Sequence, residues 1–283
     1  PFDEEISEID DKKVELTDEQ KSAVETVGKS IDNGENKTFL IHGVTGSGKT
    51  EIYLNLIERC MNLGKQSLFL VPEISLTPQM VAQVKGRFGS RVAVIHSMLT
   101  VRKRYEEWKR INEGEVSVVV GARSAVFSPL AKLGLIIIDE EHEGTYKSES
   151  SPRYHTTEVA RFRAKSEGAV LILASATPSF ESYWRAENGK YTLIELKNRV
   201  NNRDLPKVTT IDMRKELENG NFSIFSERLK TEIANNLKSK QQTILFLNKR
   251  GYSSFVSCRK CGYVPKCPNC DISLTYHKNG GFM

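Results

Sequence analysis

The apolar positions of this chain fall in short, dense runs separated by longer amphipathic stretches. Runs at 38–42, 67–71, 92–95, 116–120, 134–138 and 170–174 have strand length, and several are apolar at nearly every position. A strand that alternates apolar and polar side chains is covered on one face, whereas one that is apolar throughout is covered on both. Between most of these runs the apolar residues recur at helical spacing, at about 50–62, 75–88, 100–112 and 156–167. Strands alternating with helices predict an α/β fold, a parallel sheet with helices on both faces. Thr17 stands where an N-cap belongs, with Gln20 as its capping-box partner, so a further helix is expected ahead of the first strand.

The pattern also divides the chain. Residues 1–13 are acidic and aperiodic, so 1–16 read as a linker, and 17–196 as one complete lobe. A looser stretch with Asn198, Asn201, Asn202 and Pro206 reads as an interlobe linker over 197–221. A helix from Ser226 to Leu237 and a strand from Thr243 to Leu247 then suggest the start of a second α/β lobe over 222–257, followed by a cysteine-bearing segment over 258–283. The chain begins at Pro1 and stops at Met283 inside that segment, which reads as an internal piece of a longer protein.

The chemistry starts at the end of the first strand. Gly43, Val44, Thr45, Gly46, Ser47, Gly48, Lys49 and Thr50 fit G-x-x-x-x-G-K-S/T, between the apolar run Phe39 to Ile41 and the amphipathic run Ile52 to Ile57. Backbone N–H groups of such a turn wrap phosphates, and the following helix N-terminus adds partial positive charge. Lys49 would reach the β- and γ-phosphates and the Thr50 hydroxyl would ligate Mg²⁺. This motif predicts a nucleoside triphosphate site. Leu135 to Ile138 form a second apolar strand ending in Asp139, Glu140, Glu141 and His142. In a doubly wound sheet ligands sit at the carboxyl ends of strands, which places these acids beside the phosphate loop. Asp139 would hold Mg²⁺ through water, and Glu140 would orient and polarise the water attacking the γ-phosphate. Ser175, Ala176 and Thr177 close a third strand and can hydrogen-bond to those acids. A polar loop then carries Tyr146, Lys147, Arg153, Tyr154 and His155, residues suited to base stacking and phosphate contact, or to packing at the lobe edge.

Composition narrows the field only a little. With 39% hydrophobic and 27% charged residues the chain has the make-up of an ordinary globular protein, and a net charge of +5 permits nucleic acid without requiring it. No apolar run is long enough to span a bilayer and no export signal is visible, so a cytoplasmic protein with no membrane partner is expected. Cys258 with Cys261, and Cys267 with Cys270, are two C-x-x-C knuckles of the zinc type. Four thiolates can close one Cys₄ site. Cys60, in an apolar helix, reads as a small buried hydrophobe.

Phosphate loop, D-E-x-H and S-A-T in this order resemble the superfamily 2 helicases and translocases, motors with RecA-like P-loop NTPase lobes. Gln20 sits where such motors read the adenine edge. The match narrows through Glu51 to Tyr53, Leu70 to Gln79 with its Pro72, Glu73 and Thr77, His96 with Ser97, Gly121 to Phe127, and Asn248 to Tyr252 leading into the first knuckle. From about Thr17 onward the chain resembles the primosomal protein N′ family, the PriA replication-restart helicases. The resemblance implies an ATP-dependent 3′-to-5′ DNA helicase, an ATP hydrolase that acts at stalled forks in primosome assembly and replication restart. It implies single-stranded and forked DNA, primosome proteins and single-strand-binding protein as partners, with ATP, Mg²⁺ and Zn²⁺ as cofactors. It places Thr77 and Arg123 on the single-strand backbone, and gives the Tyr146–Tyr154 loop, with His142, Ser175 and Thr177, the task of coupling DNA binding to hydrolysis. It also implies eight cysteines and two zincs, so that each knuckle here takes its partner pair from farther downstream. The arginine finger of the second lobe would likewise lie beyond Met283, and this piece alone is expected not to unwind DNA. Two rival readings are a double-strand DNA translocase of superfamily 2 and a non-catalytic zinc-dependent nucleic-acid-binding module.

Overall fold

A computed structural model describes residues 14–200, 206–246, 258, 261, 263–273, 276, 277, 281 and 282. The chain divides into two compact units, Pro1–Asp204 and Leu205–Met283. The acidic stretch 1–13 and the motif from Asn248 to Tyr252 lie outside the described residues.

The first unit is an α/β lobe around a seven-stranded sheet in which every pairing is parallel. Its strands are β1 (Thr38–Gly43), β2 (Gln66–Leu70), β3 (Val92–Ile95), β4 (Val118–Gly121), β5 (Leu133–Asp139), β6 (Val170–Ser175) and β7 (Thr192–Leu196), in the spatial order β3-β4-β2-β5-β6-β1-β7. The helices are α1 (Asp18–Asp32), α2 (Lys49–Asn62), α3 (Pro78–Phe88), α4 (Val101–Asn112), α5 (Thr156–Glu167) and α6 (Phe180–Glu187). Successive strand residues feed opposite cores, as the strand pleat requires. Phe39 and Ile41 join Val27, Ile31, Ile52, Leu56 and Val84 of α1, α2 and α3 on one face. Leu40 joins Ile111, Ala160, Ala164 and Ala186 of α4, α5 and α6 on the other. With both faces covered, β2, β4 and β6 are buried at every position, which is why residues 68–70, 118–120 and 170–174 are apolar without alternation.

Local signals set most boundaries. The capping box at Thr17 is formed: its Oγ1 accepts from Gln20 N, and Gln20 Oε1 accepts from Thr17 N at 2.8 Å. The helix expected over 75–88 is split, with a short 3₁₀ turn at Glu73–Ser75 and α3 starting at Pro78, where Thr77 Oγ1 caps Met80 N at 3.3 Å. Proline at the first helical position and a hydroxyl cap ahead of it define that start. Two elements go beyond the predicted set. Helix α6 starts at a Ser179 cap, and β7 adds to the sheet edge beside β1 although only Leu196 of its residues is buried. An edge strand needs only one covered neighbour, so its apolar signal is weak.

The second unit holds α7 (Met213–Glu218) and α8 (Glu227–Lys238), the helix expected from Ser226, which caps it, together with two small antiparallel pairs. These are β8 (Lys266–Cys267) with β9 (Cys270–Ser273), and β10 (Tyr276–His277) with β11 (Gly281–Phe282). Helix α7 lies inside the stretch read as linker. The strand expected from Thr243 is not formed among the described residues. Residues 243–246 have no strand partner, and Ile244 and Phe246 are 93% and 84% exposed. An apolar run becomes a strand only when a neighbour accepts its backbone hydrogen bonds. Among the described residues, no helix is long and apolar enough to cross a membrane.

Candidate functional site

The predicted site residues gather at the carboxyl ends of β1, β5 and β6. The phosphate loop leaves β1 at Gly43 and enters α2 through Gly48, with Gly46 and Gly48 at φ 84° and 74°. Both are left-handed conformations that a side chain disfavours. A Cβ on Gly48 would in addition fall 2.3 Å from Gln20 Nε2, so this position is closed to other residues. Lys49 Nζ donates to Gly43 O at 3.1 Å and lies 3.9 Å from Glu140 Oε1. One ammonium thus spans the loop and the acid strand.

Gln20 is placed differently from the expectation of an adenine reader. It is 3% exposed, and Nε2 donates to Ser47 O at 2.9 Å while Oε1 accepts from Thr17 N. Both ends of the amide are occupied inside the protein, so in this conformation Gln20 braces the phosphate loop against α1. The loop is held from a second side by the end of β7 and the segment after it. Val44 N donates to Leu196 O and Val200 N to Gly46 O, each at 3.1 Å.

The acids of β5 and the hydroxyls of β6 form one network. Asp139 pairs in register with Ala174, and His42 of β1 pairs with Ser175, so β6 stands between the phosphate-loop strand and the acid strand. Ser175 Oγ donates to Glu140 Oε2 at 3.2 Å, accepts from Thr177 N at 2.9 Å, and lies 2.7 Å from His142 Nδ1. With the Ser175 proton committed to Glu140, His142 Nδ1 carries the hydrogen that it shares with Ser175. Glu140 itself sits at φ 45°, a left-handed conformation of order 1–3 kcal/mol in cost that concentrates at functional positions. Glu141 is 4% exposed and accepts from Ser179 N at 2.6 Å, Ser179 Oγ at 3.1 Å and Ser182 Oγ at 2.9 Å. That carboxylate anchors the N-terminus of α6 to the acid loop.

Asp139 is flanked by two buried phenols. Tyr53 Oη donates to its Oδ1 at 2.9 Å, and Tyr146 Oη donates to its carbonyl oxygen at 2.7 Å. Burial pushes the Asp139 carboxyl above the usual carboxylate range, against the opposing pull of the Tyr53 hydrogen bond. Burial likewise drives both phenols well above their ordinary range. Tyr53 lies one helical turn past Lys49 on the buried face of α2, a spacing that points it at the sheet, but its apolar neighbours make it read as core.

The expected base-stacking loop splits in two. Tyr146 is 0% exposed and belongs to the core, which rules out base stacking by this ring as folded here. Arg123 Nη1 donates to Thr145 O at 3.2 Å and Lys147 O at 2.7 Å, so its guanidinium secures this loop. Lys147 and His155 form an isolated bridge that folds the loop back, leaving Lys147 and Arg153 exposed and Tyr154 half-buried against Phe127, ring centroids 4.9 Å apart. Thr77 is engaged as the cap of α3.

In the second unit Cys267 and Cys270 are register partners across β8 and β9. Backbone N–H groups of Asn269 and Cys270 draw the Cys267 thiol below its ordinary range, the turn geometry of a metal knuckle. Cys258 N donates to Tyr263 O at 2.7 Å. Among the described residues, no group of three or more His, Cys, Asp or Glu side chains is arranged to hold a metal ion.

A family profile described as "Type III restriction enzyme, res subunit" matches residues 13–180, the span that carries this whole network. The chain belongs to that family. A second profile, the "PriA DNA helicase Cys-rich region (CRR) domain", matches residues 267–283. Replication restart protein PriA of Bacillus subtilis is 58% identical over 265 residues, 94% of this chain and 33% of that protein. Its counterpart of Synechocystis sp. is 48% identical over 268 residues, 93% of this chain and 32% of that protein. The resemblance read from the motifs is borne out by these identities, and the chain spans about a third of the length of the relatives it matches. Solved structures similar to this chain include RecG bound to a three-way DNA junction, 20% identical with a TM-score of 0.47 over 73% of this chain and 28% of that one. The Pyrococcus furiosus Hef helicase domain is 17% identical with a TM-score of 0.47, over 69% of this chain and 44% of that one.

Proposed function

We propose that this chain carries the ATP-hydrolysing lobe of a 3′-to-5′ DNA helicase that acts at stalled forks in primosome assembly and replication restart. The observation that carries the reading is the continuous chain of contacts from Lys49 through Glu140 and Ser175 to His142 and Thr177. It joins the phosphate loop to the residues that the motor motifs assign to coupling. The identity to PriA proteins supports the substrate, single-stranded and forked DNA, with primosome proteins and single-strand-binding protein as partners in the cytoplasm. Residues 17–196 would be the first RecA-like lobe and 222–257 the start of a second, joined through 197–221.

Lys49 and the loop amides bind and orient the polyphosphate, while Glu140 holds the attacking water and accepts its proton. Thr50 and Asp139 fit a hard cation, since a carboxylate pushed up by burial regains its charge beside one. Mg²⁺ held by them would neutralise phosphate charge. Zn²⁺ fits Cys258, Cys261, Cys267 and Cys270 as two half-sites, supported by the Cys267 knuckle and by the match to the PriA Cys-rich region. DNA contact would fall to Thr77, Lys147, Arg153 and Tyr154, with Arg123 shaping the loop. The intact Lys49, Asp139 and Glu140 speak against a non-catalytic binding module, and the PriA-type cysteine segment against a double-strand translocase.

Titration of the protein with a fluorescent ATP analogue tests the nucleotide site. Lys49→Ala should weaken binding by about tenfold or more, the worth of a charge-assisted contact. Unchanged affinity would refute the site. Tyr53→Phe should raise the Mg²⁺ concentration needed for half-maximal binding by about tenfold, because a donor that keeps Asp139 ionised is gone. The sign with pH follows from the raised carboxyl: the deficit should grow as the pH falls and shrink as it rises, and a pH-independent deficit would count against this role for Tyr53.

A further inference from the structure

Arg199 follows β7, the edge strand of the first unit. It lies on the phosphate loop: a Cβ on Gly46 would come 3.9 Å from its Cγ, Cδ and Nε. Its Nε is buried and has no hydrogen-bond partner, and among the described residues no carboxylate pairs with it. Several arginines of the lobe end on acids, as Arg87 does on Glu51 and Glu58, Arg163 on Glu167, and Arg185 on Glu158. The carboxylate of Glu19 is taken up by the neighbouring Asn198 through N at 3.3 Å and Nδ2 at 2.7 Å.

The position of Arg199 is set by backbone and not by a wandering side chain. Val200 N donates to Gly46 O and Val44 N to Leu196 O, so residues 196–200 run along the loop and are fastened at both ends. Val200 Cγ2 would stand 2.9 Å from a Cβ on Gly48, so the same segment closes the loop from that side. A desolvated guanidinium nitrogen without an acceptor is costly, and fixed beside the phosphate loop it is matched to an anion that arrives there. The loop is built for a polyphosphate, whose oxygens suit the guanidinium fork.

From this we infer that Arg199 is a further nucleotide contact, a guanidinium that reaches across Gly46 to grip the phosphate chain of the bound nucleotide from outside the loop. The inference rests on the nucleotide-site reading above and adds a ligand from the segment after β7, which none of the motifs includes.

The test is to measure Mg·ATP and Mg·ADP affinity of the chain as wild type, Arg199→Gln and Arg199→Lys, with inorganic triphosphate as competitor and the melting temperature of each nucleotide-free protein recorded. Arg199→Gln should bind both nucleotides about tenfold more weakly, triphosphate competition should weaken by a similar factor, and Arg199→Lys should recover part of the loss. The nucleotide-free melting temperatures should agree. Equal affinity of wild type and Arg199→Gln would overturn the inference while leaving the nucleotide site standing. So would a loss for ATP with triphosphate competition unchanged, which assigns Arg199 to the base, or a loss tracking a lowered nucleotide-free melting temperature, which makes it a structural brace. If wild type and Lys49→Ala bind Mg·ATP equally poorly, the nucleotide reading itself fails, and this inference with it.

Discussion

Glu140→Gln is expected to lower ATP turnover of the intact protein by about 10²–10⁴-fold, the span attributed to a positioned general base. The amide keeps the shape of the carboxylate and can still accept from Ser175 Oγ, now at 3.2 Å, but it cannot take a proton from water. Backbone strain does not confuse the result, because glutamine is no worse than glutamate at the φ of 45° that this position holds. Nucleotide affinity should hold or rise, since Lys49, 3.9 Å from Glu140 Oε1, loses its internal counter-charge and is freer to face phosphate. A steady-state assay under saturating single-stranded DNA, paired with a nucleotide titration, reads both quantities. Turnover at the wild-type rate would remove Glu140 from the chemistry. Loss of binding in step with turnover would recast it as part of the nucleotide cradle.

The second large effect concerns Tyr146, and it is one of stability. A fully buried ring that also donates to Asp139 O at 2.7 Å cannot be truncated cheaply. Tyr146→Ala should destabilise the first unit by about 3–5 kcal/mol, as for other large aromatic truncations in cores. Tyr146→Phe, which keeps the ring and drops the hydrogen bond, should cost only about 1 kcal/mol. Urea unfolding followed by far-ultraviolet circular dichroism gives both values. Tyr154→Ala is the contrast, because that ring is half-buried beside Phe127 and has less packing to lose. If Tyr154 stacks on a base, its loss should weaken single-strand binding by about 1–3 kcal/mol with little change in unfolding. A near-neutral Tyr146→Ala would show that the ring leaves the core in solution and restore it as a candidate DNA contact.

Much of this was open to reading from the linear chain, for a definite reason. The phosphate loop, the acids after β5, the hydroxyls after β6 and the cysteine knuckles are each local: their chemistry depends on residues a few positions apart on one turn or one strand end. The capping box at Thr17 and the helix start at Ser226 are local in the same sense, and both formed where expected. Continuous apolar runs likewise announced the strands of the first unit, which are covered on both faces.

Strand order is not local. That β6 separates β1 from β5, so that Ser175 mediates between the phosphate-loop strand and the acid strand, follows from how helices pack across the two faces of the sheet. The same packing decided which polar groups were already spent. Gln20 turned its amide to the loop and to Thr17, Tyr146 went inward to Asp139, and Arg123 closed on the carbonyls of its neighbouring loop. Conversely the run from Ile244 to Phe246 had the composition of a strand but, among the described residues, no neighbour to pair with. Residue type says which bonds a side chain can make. Only the folded lobe, by bringing distant donors and acceptors within 3 Å or so of one another, selects which of them it does make.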